Sequence, residues 1–317
     1  MTTALIYDER FLDHKTGRGH PERPDRLRAV MQGLGDAGLM DRLVRIGFDP
    51  AGIEYIQHLH ESVYVQRCFD DCRDNLPFID TPDSAVCPAS AEIALLAAGG
   101  VRAAARAVMA GEIDNAFCAV RPPGHHAEAD ESMGFCLFGN VALAADYLTR
   151  DHGLGRVAIV DFDVHHGNGT QHLLERRSDV LFISLHQDPA TLFPGTGFAN
   201  ETGRAAGEGF TLNIPLAPGG GDEVYQHAFE SIVLPKLMGY RPEFLFVSAG
   251  FDAAAEDPLA QMNVSAGGFE WMSRRLVQAA NEHCAGRLVS VLEGGYDLDA
   301  LARGVVGHVG ALLEAGE

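Results

Sequence analysis

The feature that most constrains the fold is a series of short apolar runs, rich in β-branched residues, that alternate with longer helix-like stretches. Short apolar runs bounded by turn residues are typical of strands buried on both faces. The runs occupy residues 4–7, 116–120, 157–160, 180–185, 210–214, 244–248 and 288–292. The helix-like stretches occupy residues 89–109, 140–150, 222–238, 267–280 and 298–313. This alternation predicts an α/β fold with a mostly parallel central sheet and helices on both faces.

No internal repeat, low-complexity segment or Ser/Pro-rich linker divides the 317 residues. Chains of this length in α/β enzymes commonly form one unit around one sheet. We therefore expect a single domain over residues 1–317. Within it, the loops at 121–133, 187–209 and 217–221 are expected to wall a site.

Charge and composition disfavour several classes of partner. The formal net charge of −20 would repel the phosphate backbone, so direct binding of DNA or RNA is not expected. No apolar run approaches the roughly 20 residues needed to cross a bilayer, and residues 1–10 lack the pattern of a secretion signal. The six cysteines show no CxxC pair, which fits a reducing cytoplasmic location. The oligomeric state has no signal in the sequence.

Metal-capable and titratable residues directly follow the apolar runs, where the predicted strands end. They are His125 and His126 after one run, Asp161, Asp163 and His165 after a second, Asp252 after a third and Tyr296 after a fourth. An open α/β sheet presents the carboxyl ends of its strands at one edge, so we expect these side chains to converge there. Polar residues scattered over a surface would not produce this pattern.

Asp163 and His165 are two residues apart, so a strand that continued through both would point their side chains to the same face. A carboxylate and an imidazole on one face form two thirds of a catalytic zinc site, which commonly has three protein ligands and an open position. Asp252 is the natural third ligand. Taken singly, Asp163 and His165 fit a buried hydrogen-bonded pair equally well, and Asp252 fits a helix cap.

Two further features fit acid–base and electrostatic chemistry. His125 and His126 follow a rigid Arg-Pro-Pro-Gly turn and could supply a general base and its partner beside an activated water. Tyr296 follows two glycines and could donate a hydrogen bond to the oxyanion of a tetrahedral intermediate. In isolation, a surface pair of histidines and a packed tyrosine are the more ordinary interpretations. The neighbouring carboxylates favour the catalytic interpretation.

Longer motifs run through nearly the whole chain. They are Gly-His-Pro-Glu-Arg-Pro at 19–24, Arg-Pro-Pro-Gly-His-His at 121–126, Gly-Phe-Cys at 134–136, Val-Asp-Phe-Asp-Val-His-His-Gly-Asn-Gly-Thr at 160–170, Ser-Leu-His at 184–186, Phe-Pro-Gly-Thr-Gly at 193–197, Ser-Ala-Gly-Phe-Asp at 248–252 and Leu-Glu-Gly-Gly-Tyr at 292–296. In identity, order and spacing this set resembles the zinc-dependent histone deacetylase family. The resemblance is strongest to its class II branch and to the bacterial histone deacetylase-like amidohydrolases.

The resemblance implies an arginase/deacetylase fold with one deacetylase catalytic domain and two cation sites. Asp163, His165 and Asp252 would hold Zn²⁺, with Fe²⁺ as an alternative because geometry and availability decide as much as affinity. A structural K⁺ would be bound, partly through backbone carbonyls, by Asp161, Asp163, His165, Ser184 and Leu185.

The resemblance also implies roles for the remaining polar residues. His126 would act as general base and then acid, with His125 as its electrostatic partner and Asp161 orienting His125. Tyr296 would polarise the acetyl carbonyl. Asn168 stands where class I members carry an Asp behind the second histidine, which is a class II trait.

A narrow substrate tunnel is implied as well. Its walls would be Gly134, Phe135, Phe193 and Leu259. Leu259 stands where polyamine-specific relatives carry a Glu, so its apolar side chain favours acyl-lysine over a cationic amine. The rim Asp that grips the substrate backbone in class I has no secure counterpart, although Asp83 or Ser84 could serve.

The expected function is hydrolysis of the acetyl or other acyl amide of lysine side chains in peptides or proteins, which releases acetate and a free amine. Three alternatives remain open. Acetylated polyamines or other small amides would suit the negative charge. An arginase-like ureohydrolase would need a second metal, for which Asp161 is available but a full ligand set is not found. A catalytically silent acyl-lysine binder would be expected to have lost Tyr296 or one of the paired histidines, and none is replaced.

Overall fold

The computed structural model describes residues 2–315, and their strands form one eight-stranded sheet in which neighbouring strands are parallel. The strands are β1 (Thr3–Ile6), β2 (Val44–Arg45), β3 (Asn115–Cys118), β4 (Val157–Asp161), β5 (Val180–Gln187), β6 (Thr211–Leu216), β7 (Phe244–Ala249) and β8 (Leu288–Leu292). Their order across the sheet is β2-β1-β3-β8-β7-β4-β5-β6. The predicted α/β class with a parallel sheet between helices is confirmed.

The helices pack in two groups. The bounds are α1 (Asp25–Asp36), α2 (Ile53–Ile56), α3 (Ser62–Arg73), α4 (Ser90–Met109), α5 (Asn140–Asp151), α6 (Asn168–Leu174), α7 (Asp222–Ala228), α8 (Leu234–Tyr240), α9 (Ala266–His283) and α10 (Leu298–Leu313). In one group α9 contacts α10, α7 and α8, and α10 contacts α1. In the other, α4 contacts α2, α3 and α5.

The apolar runs locate all strands except β2, with ends that differ by at most two residues. β2 was missed because it is only two residues long and both are exposed. The stretch predicted as one helix over 222–238 is divided into α7 and α8 by a π-helical turn at Phe229–Val233. Helices α1, α2, α3 and α6 are not among the predicted ones.

The central strands are buried because each has a strand on both sides and helices cover the sheet. Every residue of β4 is inaccessible to solvent, since β7 and β5 flank it. Burying a Val or Ile side chain contributes roughly 1.5–3 kcal/mol relative to leaving it exposed. Strands β3, β8, β7, β4 and β5 are consecutive across the sheet, so the loops that follow them emerge side by side at its carboxyl edge.

A buried ion cluster fixes the N-terminal segment to this edge. The Glu22 carboxylate accepts hydrogen bonds from Arg121, one of them from Nη2 at 2.7 Å, and from Arg26 Nη1 at 3.2 Å. Arg26 also donates to the carbonyls of Glu293 at 2.5 Å and Gly295 at 2.7 Å. Burial alone would raise the pKa of Glu22, but the adjacent Arg121 guanidinium lowers it to about 2. The carboxylate is therefore ionised wherever the protein is folded at ordinary pH.

Replacing Glu22 should destabilise the fold in a pH-dependent way. Glu22→Gln leaves two guanidinium groups buried without their counter-charge, so we expect the free energy of unfolding to fall by roughly 3 kcal/mol at pH 7. Because the folded-state pKa is depressed, the stabilisation is complete above the ordinary pKa of 4.5 and is lost as pH falls towards about 2. Urea unfolding of wild type and variant between pH 7 and pH 3 measures this.

The matched control is Glu256→Gln, which removes an exposed ion pair with Arg303. Its effect should be roughly 0.5 kcal/mol or less. A Glu22→Gln effect that is as small as this, or that does not change with pH, would contradict the assignment.

Candidate active site

The loops after β3, β4, β7 and β8 bring the predicted site residues together at one edge of the sheet. The strand premise for Asp163 and His165 was wrong, because β4 ends at Asp161 and does not continue through His165. Asp163 and His165 meet because the irregular backbone after β4 is held by side-chain hydrogen bonds: Asp163 N–H donates to Asp161 Oδ1 at 3.1 Å, and His165 N–H donates to Asp163 Oδ1 at 2.9 Å.

Asp163, His165 and Asp252 form a compact, buried triad. One potential ligand atom from each lies within 4.8 Å of the others. His165 Nδ1 is 3.1 Å from Asp163 Oδ1 and 3.1 Å from Asp252 Oδ2. Two carboxylates thus face one imidazole in a site from which solvent is largely excluded. Burial, followed by the neighbouring Asp163 charge, raises the pKa of Asp252.

The donor set and its surroundings fit a divalent cation. Buried like charges this close need a counter-charge, and two carboxylates with one imidazole are a common ligand set for catalytic metals. At Gly294, the backbone lies so close to the two carboxylates that a side chain would not fit. A Cβ on Gly294 would lie 2.5 Å from Asp163 Oδ2 and closer still to Asp252 Oδ2. Gly294 N–H instead donates to Asp163 Oδ2 at 2.7 Å and fixes that carboxylate.

The two adjacent histidines have different partners. His125 Nδ1 is 3.0 Å from Asp161 Oδ2, whereas His126 Nδ1 is 2.6 Å from Asn168 Oδ1. Burial alone would lower the pKa of His125, but Asp163 and Asp161 raise it to about 10. Burial, followed by the neighbouring charge of His125, moves the pKa of His126 well below its ordinary value. One imidazole is therefore cationic while the other stays neutral.

Tyr296 is held from two sides. Its backbone N–H donates to Asp257 Oδ2 at 2.7 Å, and the Arg26 guanidinium carbon lies 5.0 Å from the centre of its ring. Burial, and then the Asp252 charge, raises the pKa of the Tyr296 hydroxyl well above its ordinary value. The hydroxyl therefore stays protonated and able to donate a hydrogen bond.

A cavity of about 240 Å³ opens above these groups. Its walls are Asp83, His126, Gly134, Phe135, His165, Leu192, Phe193, Leu259 and Tyr296. The four predicted tunnel residues are all among them. Phe193 stands at the mouth with 42% of its surface exposed, and its ring centre is 5.2 Å from that of His126. Gly134 has a φ of +53°, and a Cβ there would lie 2.7 Å from His126 Cγ.

Of the two rim candidates, only Asp83 reaches the cavity. Its Oδ2 accepts a hydrogen bond from Gly134 N–H at 2.9 Å. Ser84 is buried and its hydroxyl lies 3.2 Å from that of Thr81. The predicted K⁺ residues also lie close together, since Asp161 is paired with Ser184 in the β4–β5 register and Leu185 follows it. The K⁺ site itself stays a prediction.

Several residues around the site were not predicted. Glu293 is fully buried, and its Oε2 accepts from Gly124 N–H at 2.8 Å and His125 N–H at 3.2 Å. Asp257 holds Tyr296, as described above. Glu128 accepts a hydrogen bond from Asn168. The available signal was an acidic residue next to a site motif, which alone does not identify its partner.

The family follows from comparison with known proteins. A family model described as histone deacetylase domain matches residues 20–312, which is most of the chain. The chain belongs to the histone deacetylase family. The relatives described below are named deacetylases or amidohydrolases, and this protein is accordingly a hydrolase.

Bacterial, archaeal and plant relatives align with nearly all of this deacetylase-family chain. The histone deacetylase-like amidohydrolase of Pseudomonas aeruginosa is 43% identical, over 93% of this chain and 81% of the relative. A probable deacetylase of Archaeoglobus fulgidus is 40% identical, over 94% of this chain and 82% of the relative. Histone deacetylase 15 of Arabidopsis thaliana is 40% identical over 98% of this chain, which spans 57% of that longer protein.

Solved structures agree with the family assignment. The crystal structure of the HDA15 HD domain superposes with a TM-score of 0.93 at 39% identity, and the match covers 99% of this chain and 90% of that one. Among residues 2–315, no helix is both long enough and apolar enough to pass through a bilayer.

Adding one methyl group at Gly294 should weaken metal binding. Gly294→Ala places a Cβ against both triad carboxylates, so at least one of them must move. We expect Zn²⁺ affinity to fall by roughly 10- to 100-fold or more, as when the groups that orient metal ligands are lost. Competition with a chromophoric chelator measures this.

Gly310→Ala is the matched control, because no heavy atom lies within 4 Å of the added Cβ. It should bind Zn²⁺ as the wild type does. Wild-type affinity in a folded Gly294→Ala protein would contradict the proposed ligand set.

Proposed function

We propose that this protein removes acetyl groups from lysine side chains of peptides or proteins, releasing acetate and the free amine. The observation that carries the proposal is the cavity itself. An apolar channel bounded by Phe135 and Phe193 leads to His126, Tyr296 and the Asp163/His165/Asp252 triad. Such a channel suits a methylene chain that ends in an amide.

The triad would hold Zn²⁺ or Fe²⁺, through Asp163, His165 and Asp252. When bound, the metal would supply Lewis acidity towards the amide carbonyl and lower the pKa of a water. The residues around it supply orientation and proton transfer. Gly294 N–H and Val164 N–H, which donate to Asp163 and Asp252, hold the two carboxylates in place. A K⁺ held by Asp161, Asp163, His165, Ser184 and Leu185 is part of the proposal.

His126 is the proposed proton shuttle. Its Nδ1 is occupied by Asn168, so its other nitrogen, Nε2, is left for the reaction. A neutral imidazole can accept a proton from the attacking water and later donate one to the departing amine. His125, cationic beside Asp161, would stabilise negative charge near the reacting carbonyl.

Tyr296 is the proposed hydrogen-bond donor to the carbonyl oxygen. Its hydroxyl stays protonated, and Asp257 fixes its backbone. Negative charge grows on the carbonyl oxygen as water attacks, so a donor held in advance favours the transition state over the substrate.

Loss of either proposed group should abolish turnover of a fluorogenic acetyl-lysine peptide by zinc-loaded protein. We expect kcat to fall by about 100-fold or more in Tyr296→Phe, which removes one hydrogen-bond donor, and in His126→Ala, which removes the base. A hydroxamate should inhibit the wild type, since it binds a metal in such a site.

Tyr147→Phe, which removes a hydroxyl that contacts His152 instead of the cavity, should retain wild-type kcat. Folded, zinc-loaded wild type that is inert towards the peptide would argue against lysine deacetylation. Turnover of acetylputrescine in its place would then support the small-amine alternative, and binding without turnover would support a silent binder.

The identity of residue 259 should decide between lysine and polyamine substrates. Leu259 is an apolar wall of the cavity, so it offers nothing to the ammonium group of acetylputrescine. In Leu259→Glu, a carboxylate would face that ammonium, and a charge-assisted hydrogen bond is worth about tenfold or more. We expect the kcat/KM ratio of acetylputrescine to acetyl-lysine peptide to rise by about that factor.

Leu259→Gln has similar size without the charge and should leave the ratio near its wild-type value. An equal change in the Gln and Glu variants would show that charge at this position does not select the substrate.

A further inference from the structure

We propose that Glu128 is a positioning residue that sets the orientation of the Asn168 amide and, through it, the tautomer of His126. The inference rests on the proposed role of His126 as the base. Glu128 lies on the loop after the paired histidines and does not line the cavity. It therefore acts on the reaction only through Asn168.

The contacts form a continuous chain from the cavity to the surface. His126 Nδ1 is 2.6 Å from Asn168 Oδ1, and Asn168 Nδ2 donates to Glu128 Oε1 at 2.5 Å. The Glu128 carboxylate in turn lies 2.8 Å and 3.0 Å from His172 Nδ1 through its two oxygens. His126 and Asn168 are buried, whereas the side chains of Glu128 and His172 are 17% and 36% exposed.

Glu128 determines which way the Asn168 amide faces. An amide has one accepting and one donating end, and the carboxylate can only accept. If the amide were reversed, its oxygen would meet a Glu128 oxygen at 2.5 Å with no hydrogen between them. Two weaker acceptors, the His126 carbonyl at 3.3 Å and Met133 Sδ at 3.4 Å, favour the same orientation.

The amide orientation in turn decides the tautomer of His126. Asn168 Oδ1 accepts, so His126 must carry its proton on Nδ1, and Nε2 is left with the lone pair that a base needs. A reversed amide would present N–H to Nδ1 and favour the proton on Nε2, where it would block proton transfer. The carboxylate of Glu128 thus keeps His126 in the reactive form from a distance of two hydrogen bonds.

His172 holds the outer end of this chain. Its pKa is raised, first by the hydrogen bond to Glu128. The contact restrains the carboxylate, because His172 Nδ1 lies within hydrogen-bond distance of both oxygens, including the Oε1 that accepts from Asn168. Without it, a side chain that is 17% exposed would have more freedom to rotate towards solvent.

Kinetics of zinc-loaded protein provide the first test. Glu128→Ala should lower kcat by roughly tenfold with KM little changed, because only the fraction of molecules with the reactive tautomer turns over. Glu128→Gln keeps an accepting oxygen and should restore most of the activity. Glu131→Ala removes an exposed carboxylate from the same loop and should behave as wild type.

A double-mutant cycle with Asn168→Asp separates positioning from simple structural support. The carboxylate introduced by this substitution would accept from His126 without a preferred orientation, but its outer oxygen would be repelled by the Glu128 carboxylate. In this background Glu128→Ala and Glu128→Gln should raise kcat instead of lowering or preserving it. A structural role would give the same direction in both backgrounds, and that result would overturn the proposal.

The tautomer can also be read directly, without turnover. In ¹⁵N-histidine-labelled, zinc-loaded protein, His126 should show the Nδ1–H pattern, with its signals assigned by their loss in His126→Ala. Glu128→Ala should shift them towards the Nε2–H pattern, whereas Glu131→Ala should not. An unchanged pattern in Glu128→Ala would overturn the proposal. This measurement needs no substrate. It therefore tests the role of Glu128 even if the proposed lysine deacetylation is wrong.

Discussion

Negative charge buried at the carboxyl edge of the sheet is the constraint on which the site depends. Five carboxylates there are inaccessible to solvent, namely Glu22, Asp161, Asp163, Asp252 and Glu293. Burying an ionised carboxylate is costly unless cations and hydrogen-bond donors surround it. The protein supplies the His125 imidazolium, the guanidinium groups of Arg26 and Arg121 nearby, and backbone N–H groups. A metal ion at the triad would complete the compensation, so one cation would both balance the buried charge and serve the proposed chemistry.

The need for donors also determines the paths of the loops. Three of these carboxylates accept from the backbone of a loop that follows a different strand: Asp163 from Gly294, Asp252 from Val164, and Glu293 from Gly124. The loops after β3, β4, β7 and β8 are thereby tied to one another at the positions where the catalytic side chains emerge. Ligand geometry and the placement of His126 and Tyr296 are consequently coupled, and a change in one loop is transmitted to the others.

The parts of the site that follow from local chain properties could be predicted, and those that depend on distant contacts could not. Strand ends are marked by the change from apolar to polar residues, so the loops that carry His126, Asp163 and Tyr296 were found. Glu128 and Asp257 were missed because their partners lie 40 and 39 positions away along the chain. Proximity to a site motif is the only local signal they carry, and it does not identify a partner. The roles given to the motifs came from family resemblance, since periodicity indicates burial but not chemistry.

The paired histidines show why distant contacts matter for mechanism. Their ring centres are 4.0 Å apart, and two positive charges at that separation would repel each other strongly in a buried site. The different partners avoid this repulsion. The Asp161 carboxylate keeps His125 cationic, whereas the uncharged Asn168 amide does not stabilise a positive charge on His126 in the same way. His125 and His126 thus take opposite protonation states. This difference allows one imidazole to act electrostatically and the other to transfer protons. A carboxylate in place of the Asn168 amide would add negative charge beside His126 and reduce that difference, so the amide is the partner that best keeps His126 neutral.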